Sequence, residues 1–350
     1  VKTETFAHQT ERVKRATEPV YILRFYHVPD YGKATSYPFS RDFTSAPIRE
    51  ATKPALMCLE RLGGGPAQIV PEQGRASIGG FQVDAVDMSG EILHYFANLQ
   101  LTLSDAITAS SPGPGGSLRL NDVGGLPAMG TVEVNLDPEI ERIRYSAKDE
   151  ATNTVIVSAR GVDGTTARAH PGGTTATNGE QIRPGQRVEL LSGYASMPES
   201  LFMQSQLVEV IDRSISDVVR ASYTIETADI TRALRREVFL TATQDAPFII
   251  GGHPLTIALQ ILTSTGQGTN GPYDVLPEED GIGIPQAFVD VAGIEALRED
   301  FPFDGYCFTI TGPQIAKTWL EQEIFKTING YPLVRQDGTL TVKLYTPVLT

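Results

Sequence analysis

"ILTSTGQGTNGPYDVL", residues 261–276, carries Gly266, Gly268 and Gly271 in the spacing G-x-G-x-x-G. In dinucleotide-binding α/β proteins these glycines join the end of a strand to the start of a helix, so that the pyrophosphate meets the helix N-terminus. Here the order is reversed. Leu255, Ala258, Leu259 and Leu262 recur at i, i+3, i+4 and i+7 ahead of the glycines, which places an apolar helix face before them. Pro254 suits the first turn of that helix, where its missing N–H costs nothing. Gly266 is then expected as a left-handed cap at the helix C-terminus. Pro272 and "YDVLPEEDGIG" follow with no helical stripe. The segment reads as a helix stop and a loop, it is expected to bind no nucleotide, and a doubly wound parallel sheet loses its strongest signal.

Working outward, the chain is expected to be mainly β with a helical segment, an α+β protein. The 33 glycines and 23 prolines are spread along all 350 residues, which suits short strands joined by turns. After an N-terminal arm (1–19), "VYILRFYHV" (20–28) alternates Tyr21, Leu23, Phe25 and His27 with Ile22, Arg24 and Tyr26, a strand with one partly wet face. "PALMCLERLGGG" (54–65) ends in glycines, and "SIGGFQVDAVDMSGEILHYF" (77–96) reads as strand, turn and short second element, with Asp87 as its cap. Residues 20–99 plus 186–245 are assigned to one tube-like β domain. Turn-rich sequence at "SSPGPGGS" opens an inserted small β domain (100–185), where Val132/Val134, Ile143/Tyr145 and Val155/Val157 alternate with polar partners. Longer strands return at 186–239, and Asp229 caps a short helix with Ile230, Leu234 and Val238 on one face. A helical segment (246–329) follows. It includes "GIPQAFVDVAGIEALRED" (283–300), read as one or two short helices, and a helix opened by Pro313 with the stripe Ile315, Trp319, Leu320, Ile324 and Ile328. Asp337-Gly338 then marks a hairpin, and 330–350 reads as the start of a second β domain.

Composition narrows the function classes. With 41% hydrophobic residues the chain can bury ordinary cores, yet nothing approaches the roughly 18 consecutive apolar residues of a membrane span. The first 20 residues lack the apolar core of a signal peptide, and no Met stands at the start. The 42 acidic against 29 basic residues, net charge −13, argue against a module that works by neutralising phosphates. That charge suits solubility or a surface that must not hold DNA passing close by. Cys58 and Cys307 sit in apolar stretches and are expected as buried free thiols. The five histidines, His8, His27, His94, His170 and His253, show no i, i+4 pair and no zinc-site spacing. No G-x-S-x-G occurs. Glu321 and Glu323, at i, i+2 on a helix, face different ways. "DPEIE" (137–141) and "PEEDG" (277–281) read as turns and solvated loops. No catalytic, cofactor-binding or metal-ligating residue is assigned.

Three stretches together resemble the baseplate hub (tail-tip) proteins of long-tailed bacteriophages and gene transfer agents. In "IRYSAKDEATNTVIVSARGVDGTTARAHPGGT" (143–174), Arg160, Gly161, Gly164, Thr165 (or Thr166), Ala167, His170 and Gly173 match a segment of a small β unit common in phage tail proteins. "RVELLSGYASMPES", continuing to Phe239, resembles the hub's strand, Gly-Tyr turn and strand pair leading to an Asp-started helix. Residues 253–299 with 317–345 are similar to the helical middle and the strands after it. The resemblance covers roughly residues 45–345 and contains no catalytic signature.

It implies a structural protein: a homotrimer closing the distal end of the tail tube and organising the tip for host attachment and genome delivery. Each chain would present two similar barrels, so that three chains match a sixfold ring, and the second barrel needs strands beyond Thr350. Implied partners are tail tube and distal tail proteins, the tape-measure protein, and tail fibre or receptor-binding proteins. DNA passes without specific binding, no membrane is spanned, no cofactor is needed, and the location is the distal tail of the virion. If the chain rings a channel, part of its acidic excess is expected on the lumen. Two other readings are a receptor- or glycan-binding tail module in 100–185 and a cell-wall hydrolase whose carboxylates come from distant segments. Tyr145 is the only aromatic residue from Leu99 to Gly193, which counts against a stacked-sugar site.

Overall fold

The computed structural model describes residues 18–27, 37–64, 68–70, 75–77, 80–136, 139–217, 221–301, 305–335 and 337–345. Most of the expected arm lies outside them. The chain is mainly β, with 40% of residues in strands and 16% in helices. It divides into two compact units: Val1–Leu62 with Gln82–Ser205 and Val210–Glu226, and Gly63–Phe81 with Gln206–Glu209 and Thr227–Thr350.

The first unit is built on β1 (Pro19–Phe25), β2 (Asp42–Thr44), β3 (Ala55–Met57) and β4 (Leu59–Gly64). A short pair, β5 (Gln68–Val70) and β6 (Arg75–Ser77), belongs to the second unit. β7 (Phe81–Val86) leads to helix α1 (Ile92–Phe96), whose N-cap position is Glu91 rather than Asp87, although Asp87 reaches forward to accept the Leu93 N–H at 3.2 Å. The chain then leaves for a second sheet: β8 (Leu101–Thr102), β9 (Ser117–Arg119), β10 (Gly130–Leu136), β11 (Glu139–Asp149), β12 (Thr154–Arg160) and β13 (Thr175–Asn178). It returns with β14 (Arg187–Tyr194), β15 (Met203–Asp217) and β16 (Ser222–Ala228). Strands from before and after the excursion form one half-barrel sheet of eight, in the order β3-β2-β1-β14-β15-β16-β7-β4. The intervening strands form a six-stranded sheet, β8-β13-β10-β11-β12-β9. The six-stranded sheet and most of the eight-stranded one fall within the first unit.

Side-chain alternation explains the layering. In the six-stranded sheet Val132, Val134, Ile143, Tyr145, Val155 and Val157 share one buried core with Leu101, Leu118 and Val123. In the eight-stranded sheet Phe25, Phe39, Phe43 and Tyr95 form an aromatic cluster, Phe25 lying 5.7 Å from Phe39 and Phe43 lying 5.1 Å edge-on to Tyr95. β1 departs from simple alternation because Ile22 and Leu23 are both buried. Its polar side is partly wet, as expected, with Tyr21, Arg24 and Tyr26 half-buried: Arg24 pairs with Asp42 and Glu199, each at 2.6 Å, and Tyr26 donates to Glu189 at 2.9 Å.

In the second unit Asp229 accepts the Thr231 N–H at 3.0 Å and opens a 3₁₀ helix, Ile230–Arg235. Val238 lies beyond it in β17 (Glu237–Val238). β18 (Phe248–Gly252) leads to helix α2 (Pro254–Thr263). Its expected stripe is buried, and so are Ile257 and Ile261, so the helix is covered around most of its circumference and only Thr256 and Gln260 are half-exposed. Short helical turns follow at Gln286–Phe288, α3 (Val291–Ala296) and Leu297–Asp300. β19 (Tyr306–Ile310) pairs with β18 and places Cys307 on the same side as Thr309, facing solvent. Cys307 is therefore exposed, contrary to expectation, whereas Cys58 is buried and burial pushes its thiol up. The helix expected from Pro313 starts later. Gln314–Ile315 is a strand, β20, paired with β17, which leaves Ile315 exposed, and only then do α4 (Ala316–Trp319) and a π-helical stretch, Leu320–Phe325, begin. The Asp337-Gly338 hairpin joins β21 (Gly330–Val334) to β22 (Leu340–Leu344), with Gly338 at φ +77°.

Candidate functional site

The glycine loop 264–284 is organised by two side chains. Asp274 is buried and accepts the Thr265 N–H and Thr265 Oγ1, each at 2.6 Å, and the Asn270 N–H at 2.9 Å. Burial works against its charge, but these hydrogen bonds from Thr265 and Asn270 prevail and hold its pKa down at about 2. Asn270 donates to the carbonyls of Thr263 and Ile284 at 2.6 and 2.7 Å and accepts the Gln286 N–H at 2.8 Å. The N–H groups that would cradle an anion are thus taken by a carboxylate, and the next helical turn begins only at Gln286. One detail is corrected. α2 ends at Ser264 in an extended conformation, so Gly266, at φ +78°, is not its cap. A glycine stands there because a Cβ would come within 2.6 Å of the Glu278 backbone nitrogen.

The stretch from Arg160 to Gly173 is organised by one carboxylate as well. Glu141 is fully buried in β11. It receives Arg160 through two parallel hydrogen bonds of 2.8 and 2.7 Å, His170 Nε2 at 2.8 Å and the Arg168 N–H at 3.0 Å. Burial opposes its ionisation, but Arg160, the Arg168 N–H and His170 hold its pKa below the usual carboxylate range. Gly161, Gly164 and Gly173 all have positive φ. Among the family-like positions, Arg160 and His170 therefore meet on a residue outside the quoted stretch. Reading "DPEIE" as a solvated turn is wrong at Glu141; Asp137 and Pro138 lie outside the described residues. "PEEDG" is likewise wrong at Asp280, which is buried against Thr241 at 3.2 Å; burial raises its pKa.

A third cluster lies nearby. His27 is buried, its Nδ1 donates to Gly179 O at 2.8 Å, and its Nε2 stands 3.6 Å from Asp163 Oδ2 and 3.7 Å from Glu180 Oε1. Ser40 donates to Glu180 through both its N–H and hydroxyl, each at 2.9 Å. Asp163 Oδ1 takes Arg144 at 3.0 Å, while Asp163 Oδ2 and His27 Nε2 find no hydrogen-bond partner among the described residues. Asp163 holds φ +56°, rare outside glycine, between Gly161 and Gly164. Beside it opens a cavity of about 520 Å³ lined by Tyr37, Phe39, Ser40, Lys53, Arg144 and Asp163, among others.

The other weighed residues are apart. His94 Nδ1 donates to Gly125 O at 3.0 Å, and burial lowers its pKa. His253 Nδ1 accepts the Leu255 N–H at 3.1 Å, capping α2, while its Nε2 donates to Phe301 O at 2.7 Å. His8 lies outside the described residues. Glu321 is buried and Glu323 exposed, in keeping with their different faces. Among the described residues no group of three His, Cys, Asp or Glu side chains is placed to hold a metal ion. Also among them, no helix is long and apolar enough to cross a membrane.

One signal for Glu141 was present in the sequence: period two in "EIERIRY" puts it on the same strand face as Ile143 and Tyr145. Asp163 and Glu180 had no such signal, because their partners come from other segments, and Asp274 had none because its partners lie in its own aperiodic loop. Searches of family models, curated proteins and solved structures return no match to this chain.

Proposed function

We propose that the chain is a structural baseplate hub protein, a homotrimer that closes the distal end of a phage tail tube and organises the tip for host attachment and genome delivery. The observation that carries this reading beyond the sequence resemblance is the order of the eight-stranded sheet. Its two outer strands, β3 and β4, are consecutive in the chain and separated by Cys58 alone. Cys58 donates its N–H to Thr44 O at the β2 end and accepts the Val86 N–H at the β7 end, each at 2.9 Å. One stretch, 55–64, thereby serves both ends of the sheet, which supports a tube-like barrel as its full form. The buried carboxylates support the same reading. Glu141 and Asp274 are spent on holding loops, and paired groups of this kind make poor general acids.

Three such chains around an axis would present their barrels to the tail tube, with the tube, distal tail, tape-measure and fibre proteins as neighbours. The net charge of −13 suits a wall that DNA passes without sticking. Light scattering on the purified chain tests the assembly: a mass of three chains is expected, and a monomer across the accessible concentration range would count against it.

A further inference from the structure

The cavity beside Asp163 is closed by residues from two distant stretches. Tyr37 and Lys53 approach from the segment around β2, and Arg144, Ser146, Ser158 and Asp163 from β11, β12 and the loop after them. We infer that this cavity is a binding site for a neutral saccharide. The inference goes beyond the hub reading and does not rest on it.

Size comes first: about 520 Å³ lies within the usual range of small-ligand sites, roughly 300–1,000 Å³. Recognition follows from the wall. Tyr37 is half-exposed, and its phenol end rests over Gly164, where a Cβ would lie 3.4 Å from the Tyr37 hydroxyl. It supplies an accessible aromatic ring, suited to the C–H face of a sugar, where Tyr145, the one aromatic residue of 99–193, is buried in the wall. Around it stand the Arg144 guanidinium as a donor, the Asp163 carboxylate as an acceptor, and the hydroxyls of Ser146 and Ser158, which can do both. Asp163 is the built element. Its side chain is 3% exposed and its backbone is held at φ +56°; Oδ1 takes Arg144 at 3.0 Å, while Oδ2 is closed off from solvent and stands 3.6 Å from His27 Nε2.

Charge selects a neutral ligand over an ion. Arg144 is already answered by Asp163 at 3.0 Å. Lys53 donates to Phe39 O at 3.3 Å; burial lowers its pKa, while Asp42, Glu180 and Glu199 nearby supply opposing charge. An anion would meet Asp163, and a cation would meet Arg144 and Lys53. A ring of hydroxyls satisfies all three.

The test is saturation-transfer NMR and calorimetry of the whole chain with maltotriose, chitotriose and lactose. Saturable binding of at least one is expected, weakened about tenfold or more by Tyr37→Ala. Ser158→Trp should abolish it, since this exposed strand position lets the indole fill the cavity without entering the core. Circular dichroism identifies any variant that fails to fold, and the other variant then carries the test. Failure of all three sugars to bind overturns the inference. So does binding that both folded variants retain, or saturable binding of inorganic sulfate in place of the sugars.

Discussion

Two glycine-rich loops, 160–173 and 264–284, look alike in the sequence, and each is held by one buried carboxylate. They differ in what answers the carboxylate. Glu141 is met by the charged Arg160, by His170 and by a backbone N–H, whereas among the described residues Asp274 is met by neutral groups, the backbone N–H groups of its own loop and the Thr265 hydroxyl. The glycines in both report where the backbone must take a positive φ or pass close to a neighbour. They say nothing of a ligand. A loop closed by ion pairs should fail abruptly when one charge is removed, because the remaining cations stay buried; a loop closed by neutral donors should fail more gently.

The largest effect is therefore expected at Glu141. Glu141→Ala leaves Arg160 without its partner and should lower the stability of the first unit by about 3–5 kcal/mol. Urea unfolding followed by circular dichroism reads this, and a loss below about 1 kcal/mol would mean that the ion pairs do not hold the loop. Asp274→Ala comes next, at about 2–3 kcal/mol, from the hydrogen bonds lost to a charged acceptor. Acid should reveal the same group. Its folded pKa of about 2 lies below the unfolded value near 3.9, so its contribution is full above that value and disappears as pH falls to about 2. In Asp274→Ala the pH dependence across that window should flatten; an unchanged slope would remove Asp274 from the account.

Glycine substitutions sharpen the comparison at smaller scale. Gly266 and Gly90 have nearly equal φ, +78° and +76°, but only Gly266 has backbone in the way. Gly90→Ala should cost about 1 kcal/mol for the left-handed conformation alone. Gly266→Ala should cost about 1 kcal/mol more, since it also pushes a Cβ against the Glu278 backbone. Equal losses in thermal melts would show that the close approach at Gly266 is relieved without strain.

Much of this fold was legible in the sequence. Period-two alternation found the strands of the six-stranded sheet, the Asp337-Gly338 pair found its hairpin, and the i, i+3, i+4 stripe found α2, because each is a local signal. The failures were non-local. Gly266 reads as a cap because glycine after a helix commonly is one, whereas here it is dictated by Glu278, which passes beside it. Pro313 reads as a helix start, but pairing with Glu237 and Val238 draws Gln314 and Ile315 into a strand. Cys307 lies in apolar sequence yet faces solvent, since a two-stranded ribbon buries only alternate residues. The candidate cavity was beyond reach for the same reason: its aromatic platform, Tyr37, is more than a hundred residues from Arg144 and Asp163 in the chain.

The most direct test of the hub reading is a cryo-electron-microscopy map of an assembled tail tip containing this chain. On that reading three copies are expected around the tail axis, with the eight-stranded sheet completed into a barrel that faces the lumen and acidic side chains prominent on that wall. A chain lying outside any ring, or a lumen lined mainly by lysine and arginine from this chain, would contradict it.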